Sequence, residues 1–178
     1  MAAALTFAGC GGKKASAVPV AAEERVAEVS FDADSAYSYV GRQVAFGPRV
    51  PNTEAHRRCG EWLVSELRRH GAEVTEQRAT LKAFDGTPLD ALNIFARYNP
   101  SAEKRILLLA HWDCRPWADQ DPDPANRKKP VDGANDGASG VGVILEIARQ
   151  IGKEKGGKGV DILFVDAEDW GTDGDENS

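Results

Sequence analysis

Two short apolar runs with an amphipathic segment between them constrain the fold of this chain most. The first run covers residues 106–110, and the second covers residues 160–165. Between them, residues 138–151 repeat apolar side chains every three or four positions, which is typical of a helix. The apolar runs predict strands over residues 104–110 and 159–166, and the first, which is apolar throughout, is expected to be buried on both faces. A strand, a helix and a second strand in this order predict a right-handed βαβ unit with parallel strands.

Ionisable side chains follow each apolar run, at the points where the predicted strands end. His111 and Asp113 follow the first strand, Glu168 and Asp169 follow the second, and Asp136 precedes the helix. Because open α/β sheets bind ligands at the carboxyl ends of their strands, we expect these side chains to lie close together. Imidazole nitrogens and carboxylate oxygens are ligands of zinc, so the pattern predicts a metal-dependent active site.

The residue types within this site predict different roles. His111 and Asp136 are candidate metal ligands, and Asp113 lies two residues after His111, where it can orient the imidazole ring. Glu168 and Asp169 are neighbours, so in an extended segment they point to opposite sides. One of the two can bind metal while the other acts as a general base or acid. Glycines on both sides of Asp136 allow the backbone to turn sharply and approach the site.

Other ligand chemistries fit the sequence less well. Asp119, Asp121 and Asp123 alternate as in a calcium loop, but prolines stand where that loop needs its glycine and its last glutamate. Residues 133–137 contain no Gly-Lys-Ser/Thr of a phosphate loop, and the chain has no Gly-x-Ser-x-Gly motif of a serine hydrolase. The net charge of -6 argues against a nucleic-acid partner.

The segments before the βαβ unit predict two helices and a β-hairpin. Helical spacing extends over residues 35–46 and again after Asn52 and Thr53, which are both candidate N-caps. Residues 72–83 and 92–98 have the pattern of strands and are separated by a turn, which predicts an antiparallel pair.

The first part of the chain has a different composition from the rest. Cys10 ends a short apolar stretch with small residues before it, which resembles a bacterial lipoprotein signal, and a polar tether follows. We therefore expect residues 1–30 to be a signal remnant and tether, and residues 31–178 to form an α/β domain with a mixed β-sheet and flanking helices. A lipidated Cys10 would anchor the protein in the bacterial cell envelope, outside the cytoplasm; the alternative is a disordered N-terminus with a chance cysteine. Cys59 and Cys114 are expected to be buried thiols, although a disulfide between them stays open.

Five stretches of the sequence carry a family resemblance. They are Phe46-Gly47-Pro48-Arg49, residues 110–113, residues 133–141, residues 145–149 and residues 164–169. In this order they resemble the superfamily of zinc exopeptidases and the glutaminyl cyclases that share their fold, over about residue 31 to residue 171. The strongest likeness is to the glutaminyl-cyclase-like lipoproteins of bacteria.

The resemblance implies a role for each candidate residue. Asp136 and Asp169 correspond to metal ligands, and His111 corresponds to a ligand of two-zinc peptidases that need not bind metal in one-zinc cyclases. Glu168 corresponds to the general acid/base, and Asp113 to the supporting aspartate. The implied cofactor is one or two zinc ions, and the implied partner is the N-terminus of a peptide or protein.

Three functions are compatible with the resemblance. The first is a zinc-dependent glutaminyl-peptide cyclotransferase, which converts an N-terminal glutamine to pyroglutamate and releases ammonia. The second is a zinc aminopeptidase that removes N-terminal residues, and the third is a non-catalytic envelope lipoprotein. Trp112, Trp117 and Trp170 are expected either to shape an apolar substrate pocket or to pack in the core.

The superfamily supplies its last metal-binding histidine further along the chain than Ser178. His56 and His70 lie on an early helix and match no ligand position. The chain therefore resembles the N-terminal part of the domain, and we expect these 178 residues alone to bind zinc weakly and to show little or no turnover. We also expect the strand over residues 159–166 to be an exposed edge of the sheet.

Overall fold

The computed structural model describes residues 30–153 and 157–171, which form an α/β fold with a mixed sheet, as predicted. The described residues contain three helices and four strands, in the order α1 (Ala33–Val44), α2 (Glu54–Arg69), β1 (Glu73–Lys82), β2 (Pro88–Tyr98), β3 (Arg105–His111), α3 (Ala138–Ile151) and β4 (Gly159–Val165). The predicted signal and tether with Cys10 fall on residues outside the described part, apart from Ser30. None of the described helices has the length and apolar character needed to cross a bilayer.

Both early helices begin at side chains that accept hydrogen bonds from the first turn. The Asp32 carboxylate accepts from the Ser35 amide at 3.0 Å, and the Thr53 hydroxyl accepts from the His56 amide at 3.2 Å. Of the two predicted caps of α2, Thr53 is therefore the cap. Asn52 instead has a positive φ of 71° and joins the helix to β2, since its side chain bonds the backbone of Pro88 and of Asp90.

The sheet has the strand order β1-β2-β4-β3. β1 and β2 form the predicted antiparallel hairpin, and β3 and β4 form the predicted parallel pair with α3 between them in the chain. β4 also pairs antiparallel with β2, so it lies in the centre of the sheet. The expectation that the last strand is an exposed edge is therefore wrong, because β2 covers the side of β4 that β3 does not.

The expectation that β3 is buried on both faces is also wrong. Leu107 and Leu109 are each 58% exposed, because they lie on the face of an edge strand that no described element covers. Leu108 and Ala110 point to the opposite face, where they pack against the hydrophobic core. Leucines lie on both faces of β3, but only Leu108 packs against the core.

The core lies between one face of the sheet and the helices α2 and α3. Its largest fully buried apolar side chains include Leu63 and Leu67 of α2, Leu145 of α3, and Ile94 and Phe164 of the sheet. This packing fixes α3 against the parallel strands, so the start of the helix and the ends of β3 and β4 lie near one another.

Candidate active site

The parallel pairing of β3 and β4 brings the two predicted strand-end clusters to the same edge of the sheet. His111, the last residue of β3, is in register with Val165, the last residue of β4. The Trp112 amide continues the ladder by donating to the Val165 carbonyl at 3.1 Å. The residues that follow each strand, Asp113 on one side and Glu168 on the other, are therefore held side by side.

Asp113 joins the two strand ends. Its side chain is fully buried, and its two carboxylate oxygens accept the backbone amides of Glu168 at 3.3 Å and Asp169 at 3.1 Å. One of these oxygens also lies 3.4 Å from the Nδ1 atom of His111. One carboxylate thus contacts the backbone of both acidic residues after β4 and the imidazole after β3.

His111 lies between carboxylates from three segments. Its Nε2 atom is 2.8 Å from an Asp136 oxygen, and its Nδ1 atom is 3.7 Å from a Glu168 oxygen. The contact with Asp113 raises the pKa of His111 to about 9, with Asp136 and Glu168 adding to the effect and burial of the ring opposing it. The imidazole ring thus lies among acidic side chains from three segments.

Asp169 pairs with a residue that the sequence did not point to. Its carboxylate forms an ion pair with Arg115 at 3.2 Å, and Arg115 also binds Asp119 through two hydrogen bonds of 2.8 Å. Burial raises the pKa of Asp169, the Arg115 contact opposes this, and the charge of Asp136 adds to it. Asp136 is therefore near enough to act on Asp169 electrostatically, although the two side chains have different partners.

Among the acidic side chains of the site, only that of Asp136 is more exposed than that of Glu168. Its side chain is 59% exposed, whereas that of Asp169 is 13% exposed. Ala167, just before them, has a φ of 59°, so the chain makes a left-handed turn as it leaves β4. The predicted divergence of the two neighbours is observed, since Glu168 faces solvent and His111 while Asp169 faces Arg115.

The loop before α3 approaches the site closely at two glycines with positive φ, Gly133 and Gly137. A Cβ atom on Gly137 would lie 2.9 Å from the Asp113 carbonyl oxygen and 3.1 Å from Cε1 of His111. This position therefore requires glycine for both its backbone conformation and its space. The predicted effect of the glycines, a close approach of the loop to the site, is confirmed.

The donor types at this edge suit zinc, which accepts imidazole nitrogen and carboxylate oxygen. The predicted ligand His111 is bound to the predicted ligand Asp136, and the predicted ligand Asp169 is held by Arg115. Within the described residues, no three His, Cys, Asp or Glu side chains converge closely enough to form a metal site. The chemistry of the donor set fits the metal.

A second buried pair lies beneath the strand ends and was not predicted. His56 of α2 contacts both carboxylate oxygens of Asp166, at 2.8 and 2.9 Å, and its ring stacks on Trp112 with 4.3 Å between the centroids. Asp166 also accepts the Leu92 amide at 2.6 Å. His56 thus has a structural partner, and the spacing of apolar residues on α2 gave no signal for it.

The three tryptophans near the site separate into two environments. Trp112 is fully buried and donates its indole N–H to the Leu92 carbonyl, so it packs in the core. Trp117 and Trp170 contact each other edge to face, with 5.7 Å between their centroids, and both are partly exposed. Cys59 and Cys114 are buried and free, as expected.

Comparison with known proteins found a matching family model and similar solved structures. Residues 93–177 match the model of peptidase family M28. No curated protein matches the chain. Solved structures do: a Zn-dependent exopeptidase from Parabacteroides distasonis has 61% identity and a TM-score of 0.79, with 80% of this chain and 49% of that chain covered.

Two further solved structures are similar and have different names. The Tannerella forsythia glutaminyl cyclase has 59% identity and a TM-score of 0.79, with 80% of this chain and 49% of that chain covered. A leucine aminopeptidase precursor from Bacteroides thetaiotaomicron has 55% identity and a TM-score of 0.81, with 86% of this chain and 53% of that chain covered. The chain spans about half the length of the solved structures it matches.

Proposed function

This chain belongs to the superfamily of zinc exopeptidases and glutaminyl cyclases, and we propose that the protein is a zinc-dependent glutaminyl-peptide cyclotransferase. The observation that carries the proposal is that His111 contacts carboxylates from three segments, those of Asp113, Asp136 and Glu168, at one edge of the sheet. The similarity to a protein named glutaminyl cyclase supports this reaction. The similarity to a protein named leucine aminopeptidase precursor supports the second candidate, a zinc aminopeptidase.

Asp136 and Asp169 are the residues that would hold zinc, and His111 would be a further ligand if two ions bind. When bound, zinc supplies a Lewis acid that polarises a substrate carbonyl. The remaining chemistry belongs to side chains of the protein. Asp113 holds the backbone of Glu168, and the exposed carboxylate of Glu168 can reach a substrate that enters from solvent.

In the cyclase reaction, the substrate's own α-amine attacks the side-chain amide carbon of an N-terminal glutamine. Glu168 would accept a proton from that amine as the new C–N bond forms, and would donate it to the amide nitrogen as the old C–N bond breaks. The products are pyroglutamate and ammonia. In the aminopeptidase reaction, Glu168 would instead take a proton from a water that attacks the first peptide bond, and would pass it to the departing amine.

One experiment with two peptides distinguishes these candidates. The full-length protein is incubated with zinc and with peptides that begin with glutamine or with leucine, and the products are identified by mass. Loss of ammonia from the glutamine peptide without cleavage supports the cyclase. Release of free leucine supports the aminopeptidase and overturns the leading proposal.

The third candidate, a non-catalytic envelope lipoprotein, predicts a different result. In that case neither peptide reacts, and the purified protein contains no zinc and gains none when zinc is added. We further propose that Cys10 is lipidated and places the protein in the bacterial cell envelope. A Cys10→Ser variant should then leave the membrane fraction, and an unchanged distribution between fractions would argue against the anchor.

A further inference from the structure

Arg49 is a buried cation whose hydrogen-bond partners are all backbone carbonyls. Its side chain is fully buried. Its Nε atom donates to Trp112 at 3.1 Å, Nη1 to Asp132 at 2.9 Å and Nη2 to Gly133 at 2.7 Å. None of the ion pairs formed by the described residues includes Arg49.

The three carbonyls belong to the two segments that carry the candidate ligands. Trp112 stands between His111 and Asp113, and residues 132–133 lead into Asp136. The main chain of Arg49 adds a fourth contact, because its carbonyl accepts the Cys114 amide at 3.2 Å. One residue, distant in sequence from both segments, thus joins the end of β3 to the loop before α3.

The contact with Arg49 leaves no room for a side chain at Gly133 in the loop before α3. A Cβ atom on Gly133 would lie 2.8 Å from Nη2 of Arg49 and 2.5 Å from Sγ of Cys114. Gly133 also has a φ of 60°, which favours glycine. The loop can therefore approach the guanidinium at this position only through a residue without a side chain.

The chemistry of arginine suits this task better than an apolar or a lysine side chain would. Removing a cation from water is costly, and an apolar side chain of similar volume would fill a purely structural position without that cost. A guanidinium presents several N–H donors in a fixed plane, so it can set the relative positions of several acceptors at once. An ammonium group on a flexible stem would keep the charge but lose that fixed geometry.

We propose that Arg49 is a positioning residue, which sets the separation between Asp136 and the His111–Asp113 pair and so controls zinc affinity. The inference rests on the proposed function, since it concerns the same zinc site. Arg49 reaches no substrate, because its side chain is fully buried. Its effect passes through the backbone at Trp112 and Gly133.

The test compares Arg49→Gln and Arg49→Lys with a matched control, Arg57→Gln. Arg57 is an exposed arginine of α2 that pairs with Glu54 and Glu61, away from the strand ends. Zinc affinity of each full-length protein is measured by competition with a chromophoric chelator, and unfolding is measured without metal. We expect Arg49→Gln to lose about 10–100-fold in zinc affinity, as residues that orient ligands do, Arg49→Lys to lose less, and the control to match the wild type.

The outcomes separate this inference from the proposed function. Folded Arg49 variants that bind zinc as tightly as the wild type would overturn the positioning role and leave the zinc enzyme intact. A wild type that binds no zinc would overturn both. If Arg49→Gln does not fold, Arg49→Lys decides; if neither variant folds, the role of Arg49 is structural and the inference is wrong. With saturating zinc, a positioning role also predicts recovery of kcat, which a damaged fold would not show.

Discussion

The two ends of the β3–β4 pair have opposite balances of positive and negative side chains. At the amino-terminal end, Asp161 is held by Arg105 through hydrogen bonds of 2.8 and 2.6 Å, and Arg97 lies 3.5 Å away. The hydrogen bonds from Arg105 lower the pKa of Asp161. At this end, two cations surround one carboxylate, so the protein neutralises its own charge.

The carboxyl-terminal end has the reverse balance. Four carboxylates, those of Asp113, Asp136, Glu168 and Asp169, face one imidazole and one guanidinium, those of His111 and Arg115. Burial raises the pKa of Asp169, whereas the pKa of Asp161 at the other end is lowered. Carboxyl groups with perturbed pKa values beside a specific charge partner cluster at functional sites. The comparison supports a structural role for the amino-terminal end and agrees with the proposed site at the carboxyl-terminal end.

The largest expected effect is the loss of activity in Glu168→Gln. The variant keeps the shape of the side chain but cannot transfer a proton, so we expect the reaction rate to fall by about 10²–10⁴-fold. Zinc content should not change, because Glu168 is not a proposed ligand. Turnover and bound zinc are measured together, with Asp161→Asn as the control from the other end of the strands. A Glu168→Gln variant that keeps the full rate would show that the acid/base assignment is wrong.

A smaller but still clear effect is expected for Asp113→Asn. The buried carboxylate accepts two backbone amides, and an asparagine would direct its own N–H₂ group at one of them. We expect the free energy of unfolding without metal to fall by about 1–3 kcal/mol. Urea unfolding in the presence of a chelator measures this change. Unfolding identical to that of the wild type would mean that Asp113 does not join the strand ends.

Two substitutions that each remove a carboxylate charge, one at each end, should change the free energy of unfolding differently. Asp161→Asn removes an ion pair and should lower the free energy of unfolding by at most about 1 kcal/mol. Asp169→Asn should leave the stability of the metal-free protein unchanged or raise it, because burial and the charges of Asp136 and Asp113 together disfavour a charge on Asp169 more than Arg115 favours it. The two variants are compared by urea unfolding with chelator present. An Asp169→Asn variant that is less stable than Asp161→Asn would contradict the proposed difference between the two ends.

The smallest expected effect is a difference in acid sensitivity. Because the folded pKa of Asp161 is lowered from 3.8, its stabilising contribution is present above that value and is lost as the pH falls through the folded pKa. Between about pH 6 and about pH 3, the wild type should therefore lose more stability than Asp161→Asn, by at most about 1 kcal/mol. Denaturation midpoints at the two pH values measure the difference. Equal losses would show that Arg105 does not hold Asp161 in solution.

The elements of the fold could be predicted because their signals are local. Apolar runs followed by acidic residues indicated β3, β4 and the positions of Asp113 and Glu168, and the helical spacing of α3 indicated the position of Asp136 just before it. The exposure of Leu107 was not predicted, since leucines lie on both faces of β3. The central place of β4 depends on its pairing with β2, which no local pattern encodes.

The parts of the site that were missed are long-range partners. Arg115 binds Asp169 across 54 positions of sequence, and Arg49 binds Gly133 across 84. His56 lies on a helix whose spacing shows only which face is buried, and it meets Asp166 across 110 positions. Whether a charged residue holds a site or faces solvent depends on such contacts, so the residue type alone does not reveal it.

The central position of β4 has a consequence during synthesis of the chain. β2 can pair with β1 as soon as both have left the ribosome, because only a short turn separates them. The other edge of β2 pairs with β4, where Ile94 meets Phe164, so it has no partner until that later strand is made. Throughout this interval the nascent hairpin presents an apolar strand with free backbone groups. We expect chaperones to be needed most between the appearance of β2 and that of β4.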